Sequence, residues 1–262
     1  MQANLHMPTW VYLLLGAVAA ALIGLVLYWQ LVVAEGAYLG TRVVAWLYDR
    51  FAPHYDRVKQ YDKTSDATML AAPVLRHLAD SLTGQNATAV ILDVGTGTGR
   101  LPDALLGQER FSGHVIALDA SGRMLDLARA KLARHAGRVT FLQHDAQRLP
   151  FNPHTFDAVA CLEALEFMRN WRSAVREMLR VLKPGGLLML SNRIGPDAWK
   201  LPGRALPTEA FADWLRALGL QDVRCCPWLV DYDLVTGVKQ ANIMAAQVPA
   251  PECSREGRPK HA

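Results

Sequence analysis

The chain has 262 residues, 51% of them hydrophobic and 20% charged, with a net charge of +4. That is the balance of a globular protein carrying one extra apolar element, and the remaining ~200 residues suffice for one α/β domain with a full core. The basic residues are scattered, without a run or an interleaving of aromatics, which excludes a nucleic-acid track; the four cysteines (161, 225, 226 and 253) lack metal-type spacing, so no metal site and no disulfide framework is expected.

No Lys, Arg, Asp or Glu precedes Glu35, and residues 9–33 are almost entirely apolar. The stretch is long enough to cross a bilayer with some tilt. Trp10 and Tyr12 flank one end, Tyr28 and Trp29 the other, as interfacial aromatics do. A cleaved signal peptide has a basic start and a shorter apolar core, so the expectation is an uncleaved transmembrane anchor over residues 1–34. Arg42, Arg50 and Arg57 follow it, which places the rest of the chain in the cytoplasm by the positive-inside rule. Residues 35–66 are expected to link the anchor to the domain and cover its ligand site, with 34–48 continuing as an interfacial helix.

A domain is expected over residues 67–248. Residues 68–82 read as a helix whose start lies near Pro73. Val90-Ile91-Leu92-Asp93-Val94 is an apolar run like a parallel strand buried on both faces. Gly95-Thr96-Gly97-Thr98-Gly99 follows, a turn that lets backbone approach a ligand closely, before a helix start whose free N–H groups suit an anion. The dinucleotide fingerprint Gly-x-Gly-x-x-Gly fails, because Arg100 stands in its last slot; a nicotinamide-dependent oxidoreductase is the disfavoured alternative. A second strand, 115–119, ends in Asp119, about twenty residues after Gly99, the spacing of an acid that grips ribose hydroxyls. Asp119 or Ser121 can also cap the helix expected over 121–135.

Further strands are expected at 139–143 and 156–161. Asn170 can cap a helix with the apolar stripe Trp171, Val175, Met178, Leu179 and Leu182; Pro184-Gly185-Gly186 then stops it before a fifth strand at 187–190. A helix over 208–218 precedes a closing strand pair, 221–228 and 240–247. The tail 249–262 reads as disordered. Alternating strands and helices predict a Rossmann-like, mostly parallel sheet of seven strands with helices on both faces, its ligand beyond the carboxyl ends of the central strands, where Asp93, Asp119, Asp145 and Cys161 lie.

Asp93 with Gly-x-Gly-x-Gly resembles motif I of the class I S-adenosylmethionine-dependent methyltransferases. His144-Asp145-Ala146, Leu149-Pro150-Phe151, Phe156-Asp157-Ala158-Val159 and Leu182-Lys183-Pro184-Gly185-Gly186 continue the resemblance. The run Tyr48-Asp49-Arg50-Phe51-Ala52-Pro53-His54-Tyr55-Asp56 is similar to the opening of the ubiquinone and menaquinone C-methyltransferase branch. The likeness extends over residues 48–247 and is most specific over 90–192. It implies S-adenosylmethionine as cofactor, bound by Asp93, Gly95, Thr96, Gly97, Gly99, Asp119, Ala120, Met124, Asp145, Ala146 and Cys161, with Asp145 on the adenine amine. Tyr55 either closes over the donor or packs the linker onto the domain.

Where many small-molecule relatives have histidine after the fourth strand, this chain has Glu163 and Glu166. Each is a candidate base, a contact for the donor's amino group, or a solvated acid. Arg193, in a loop expected after the fifth strand, meets an acidic acceptor group or solvent. In-line methyl transfer needs alignment first, so a dedicated catalytic residue can be absent. The expected acceptor is small and hydrophobic, of quinone, isoprenoid or lipid type. A donor-binding sensor or assembly protein without turnover is the alternative from another class. The oligomeric state is left open.

Overall fold

The computed structural model describes residues 8–59, 61–81 and 89–240. Helix α1 (Thr9–Tyr28) runs into one π-helical turn, Trp29–Val33, and none of its residues is buried. The 25 residues rise about 37 Å at 1.5 Å each, enough for a hydrocarbon layer of about 30 Å. By length and composition the segment is apolar enough to cross a membrane.

The helix does not continue through residue 48. Glu35, Gly36 and Gly40 all have positive φ and reverse the chain, and a new helix, α2 (Thr41–Lys59), begins. Ala34 and Ala37 in the reversal are fully buried, packed with Phe167 and Leu201. The next helical stretch starts at Lys63 rather than near Pro73. Asp62 caps α3 (Lys63–Asp66) by accepting from the Thr64 N–H at 2.9 Å. A π-helical turn, Ala67–Ala71, leads into α4 (Ala72–Ser81). Pro73 has no N–H to continue an i→i−4 ladder, and the wider turn just before it absorbs that loss without ending the helix.

One sheet of seven strands follows: β1 (Val90–Val94), β2 (His114–Asp119), β3 (Val139–Gln143), β4 (Phe156–Cys161), β5 (Leu182–Arg193), β6 (Leu220–Leu229) and β7 (Tyr232–Lys239). Their order is β3-β2-β1-β4-β5-β7-β6, and β7 alone runs antiparallel to both its neighbours. The sheet is therefore mixed, with a parallel centre. Side chains alternate across it. Leu92 and Val94 of β1 pack with α7 (Trp171–Val181) and α8 (Thr208–Ala217) on one face. Ile91 packs on the other with α4 and α5 (Arg100–Leu106).

The last strand differs from expectation. A two-residue turn at Val230-Asp231 places β7 at 232–239, while residues 241–247 and the tail lie outside the described residues. No Gly or Asn marks that turn, so its position was not written in turn chemistry. Strand β5 also begins earlier, at Leu182, and passes through Pro184-Gly185-Gly186 instead of starting after it. Helix α6 (Gly122–Lys131) is shorter than 121–135 and gives way to a 3₁₀ stretch, Ala133–Arg138.

The Asn170 side chain accepts from the Ser173 N–H at 3.1 Å at the start of α7, as expected. Asn170→Ala is therefore expected to lower the unfolding free energy by about 1 kcal/mol, read from the midpoint of urea denaturation at unchanged slope.

Candidate functional site

The loop after β1 is pinned before any ligand arrives. The N–H groups of Gly95 and Thr96 both donate to the Leu118 carbonyl, at 2.8 and 2.9 Å. Gly95 has φ +71°, and a Cβ there would stand 2.6 Å from the Ala164 Cβ. Only glycine fits, both for conformation and for the close pass of the strand-four loop. The Asp119 carboxylate ties two loops together, accepting from the Gly97 N–H and the Ser121 N–H, each at 2.8 Å. Ser121 caps α6 by accepting from the Met124 N–H at 3.1 Å. The bracing role and the capping role thus fall on neighbouring residues.

Asp93 ends β1 almost fully buried. Thr96 Oγ1 donates to it at 2.6 Å. Burial pushes its carboxyl up to about 7; the Thr96 hydrogen bond opposes the shift and the charge of Asp119 adds to it. Burial raises the Asp119 carboxyl as well, against three backbone N–H groups that lower it. Two acids that resist ionisation thus stand next to one another at the end of the strands.

These loops form the floor of a cavity of about 110 Å³. Asp93, Gly95, Thr96, Gly97, Asp119, Ala120, Asp145 and Ala146 line it, with Tyr55 above. The Tyr55 hydroxyl lies 4.0 Å from where a Cβ on Gly97 would be, so the phenol hangs over the glycine loop. Tyr61 donates to that hydroxyl at 3.2 Å, and burial raises both phenols above their ordinary value.

Three of the expected residues are not in the cavity wall. Gly99 caps α5 with φ +82°, and a Cβ there would meet Leu132 at 3.0 Å; its smallness serves helix packing. Met124 is buried beneath Tyr55 and Ala52. Cys161 is fully buried in the core, where burial pushes its thiol well up.

The two glutamates part company. Glu163 lines the cavity with φ +51°. Lys59 Nζ meets its Oε2 at 2.5 Å and Arg100 its Oε1 at 2.7 Å. Both oxygens are engaged, so Glu163 can take a proton from an acceptor only by giving up an ion pair. Arg100 also grips Asp66 at 2.6 Å and lies between the rings of Tyr61 and Trp228, at 4.2 and 4.5 Å. Glu166 is outside the cavity. It is buried, accepts from the Tyr232 hydroxyl and stands 3.5 Å from Arg193; burial raises its carboxyl. Its environment is that of a structural acid rather than a base reaching a substrate. Arg193 belongs to β5 and turns to Glu166 and Asp197, not to an acceptor mouth.

Phe167 and Met168, in the acceptor-side stretch expected after the fourth strand, line the wall, whereas sequence reasoning gave no ligand role to Thr41, Val44, Tyr48, Tyr61, Arg100 or His144. Thr41 Oγ1 donates to Asp145 Oδ2 at 3.0 Å. His144 keeps Nδ1 3.0 Å from the Asp145 carbonyl. The position of Arg100, directly after the glycine loop, was a usable signal: a helix-initial side chain there stands at the cavity the loop floors.

The geometry has counterparts among known proteins. The family described as "Methyltransferase domain" matches residues 92–190. The ubiquinone/menaquinone biosynthesis C-methyltransferase UbiE of Pseudomonas putida is 35% identical over 133 residues, 50% of this chain and 52% of that protein. The demethylmenaquinone methyltransferase of Lactiplantibacillus plantarum is 33% identical over 159 residues, 59% of this chain and 64% of that protein. The chain thus spans about half to two thirds of the length of these curated relatives. Among solved structures, the [4+2]-cyclase SpnF superposes with a TM-score of 0.60 at 20% identity, covering 78% of this chain and 98% of that one. At that identity the likeness speaks for the fold alone. The glycine loop, Asp93, Asp119 and Asp145 lie within the matched stretch, so over residues 92–190 the chain is similar to a methyltransferase domain.

Proposed function

We propose that this protein is a membrane-anchored, S-adenosylmethionine-dependent methyltransferase that transfers a methyl group to a small lipophilic acceptor of quinone, isoprenoid or lipid type. In this reading residues 1–34 are the anchor, 35–66 the covering segment and 67–248 the catalytic domain, held on the cytoplasmic side. The quinone-type activity named for the two curated relatives supports the acceptor class. The observation that carries it is the place of Phe167. That ring lines the donor cavity and also packs in one cluster with Ala34, Ala37 and Trp29, where the apolar helix ends. One side chain thus joins the cavity wall to the end of the apolar helix, which sets the site close to a lipid-dissolved acceptor.

Nine of the twelve residues expected at the donor line the cavity, and in this reading each group has a task. Asp119 offers both carboxylate oxygens to a ribose diol, Asp145 accepts from the adenine amine, and the Gly95–Gly97 backbone lets the nucleoside lie close. The donor brings the leaving group: a bond from the acceptor to the methyl carbon forms as the carbon–sulfur bond breaks, and sulfur departs as a neutral thioether. The protein's task is to align the three atoms and exclude water. Tyr48, Tyr55 and Phe167 do the excluding. An acceptor that must first shed a proton needs a base; with Glu163 held by Lys59 and Arg100, that proton goes elsewhere than to Glu163.

Asp93 makes donor binding pH-dependent. Its ionised form faces a ligand bearing a sulfonium and an ammonium, and its folded-state value lies near 7, above the unfolded 3.8. Affinity for the donor is expected to rise by up to about tenfold per pH unit below 7 and to level off above it. The same shift destabilises the ligand-free fold: the stability contributed by the protonated Asp93 is lost between pH about 4 and 7 as the unfolded chain releases that proton first. Calorimetric titration across this range checks both signs, and Asp93→Asn should flatten the affinity profile.

Incubating the full chain with methyl-labelled donor and a host lipid extract tests the reaction. Label is expected in the lipid fraction. A chain that binds S-adenosylhomocysteine yet labels nothing would be a donor-binding protein instead, and binding of NAD alone would remove the assignment. Detergent-free lysis should leave the protein in the membrane fraction; a mature amino terminus beyond residue 33 would identify a cleaved signal and sink the anchor.

A further inference from the structure

Helix α2 has two faces of opposite chemistry. At 100° per residue, Thr41, Val44, Tyr48, Ala52, Tyr55 and Lys59 fall in one arc, and all but Ala52 and Lys59 line the donor cavity. Arg42, Trp46, Arg50, Pro53 and Arg57 fall in the opposite arc, and all five are exposed. Among the described residues none of the three arginines is in an ion pair; Arg50 merely lies 5.5 Å over the Trp46 ring. The helix's acids are used up at the flanks. Asp49 accepts from Ser121 Oγ at 2.5 Å and from the Arg123 N–H, and Asp56 binds Thr98 at 2.5 Å and Lys131 at 2.7 Å.

The outer stripe is thus purely cationic with a tryptophan, 54% exposed, at its centre. Helix α2 begins eight residues after the apolar helix ends at Val33, a connection that reaches at most about 29 Å when extended. Leu39 and Trp199 are also exposed, the latter at 85%. The loop after Trp199 is fastened to the chain reversal that leaves the apolar helix, through Tyr38 to the Pro202 carbonyl and Arg204 to the Ala37 carbonyl. Basic residues with an interfacial aromatic, adjoining a membrane span, match an anionic bilayer surface.

We infer that the outer face of α2 seats on anionic lipid headgroups and that this seating holds its inner face closed over the donor cavity. The inference rests on the anchored reading above. The coupling follows from the inner-face contacts. Thr41 touches Asp145, Asp49 touches Ser121, Asp56 touches Thr98 and Lys59 touches Glu163, so each contact joins the helix to a loop of the cavity or its immediate neighbour. A helix pressed against the bilayer on one side cannot lift from those loops on the other. Anionic lipid thereby favours the closed, donor-retaining state over the open one, and differential affinity for two states is what shifts an equilibrium.

The test uses the full chain in nanodiscs of phosphatidylcholine alone or mixed with phosphatidylglycerol. S-adenosylhomocysteine is titrated calorimetrically, and hydrogen exchange of the α2 amides is followed without it. Anionic discs are expected to tighten binding roughly fivefold or more, the lower end of ordinary coupling, and to slow α2 exchange. High salt should erase both effects. The triple variant Arg42→Gln, Arg50→Gln, Arg57→Gln should behave in both discs as the parent does in phosphatidylcholine, and the corresponding lysine triple should keep the difference. Equal affinity and equal exchange of the parent in the two discs overturn the inference, as does a lipid effect that survives in the glutamine triple. Absence of S-adenosylhomocysteine binding in every disc instead defeats the methyltransferase reading, and the exchange arm still reports whether lipid holds the helix.

Discussion

Asp119→Ala is expected to weaken S-adenosylhomocysteine binding by roughly 100-fold, because hydrogen bonds to a charged group are worth about 1.5–3 kcal/mol each and a ribose diol makes two. The carboxylate also holds the Gly97 and Ser121 N–H groups, so the empty loop loosens when it goes. Asp119→Asn separates the two contributions. Its amide keeps the shape but turns one donor toward a backbone donor, so the loop is disturbed although a diol oxygen could still be met. Both variants should remain folded, since the sheet does not rest on this side chain. A folded Asp119→Ala chain with parental affinity would take the ribose role away from Asp119.

The second large effect concerns stability. Arg100→Met is expected to cost about 3–5 kcal/mol, the cost of breaking a buried ion pair by removing one partner. Its guanidinium neutralises Asp66 and Glu163 at once, and these side chains are 9%, 7% and 6% exposed. Without it Asp66 loses its three hydrogen bonds from Arg100 and Glu163 keeps Lys59 alone. Adding Asp66→Asn to the Arg100→Met chain should recover part of the loss, because the orphaned charge is gone. Denaturant midpoints of the two single variants and the double measure this. A loss below about 1 kcal/mol, the scale of exposed pairs, would mean water reaches the cluster.

The parallel centre of the sheet and the acids at its strand ends were legible because their causes are local. Buried parallel strands are apolar without alternation, and a glycine every second residue after such a strand has few other uses. What covers the cavity was not legible. Thr41 is an ordinary helix-initial residue until the fold sets it against Asp145, over a hundred positions away. Glu163 and Glu166 look alike in sequence, three residues apart, yet a 3₁₀ turn at Leu165–Phe167 sends one into the cavity and the other toward Tyr232. Local pattern says which residues end a strand; it does not say which side chains a distant helix brings to meet them.

The four contacts between α2 and the cavity loops carry a consequence for time as well as affinity. Each is formed in the ligand-free molecule, and Thr41 already occupies the Asp145 oxygen that an adenine amine would use. A nucleoside entering there displaces the Thr41 hydroxyl, and the helix contacts around it then delay its departure. In the proposed reaction, release of the product is then tied to how often the helix opens, as in other enzymes whose slow step is opening.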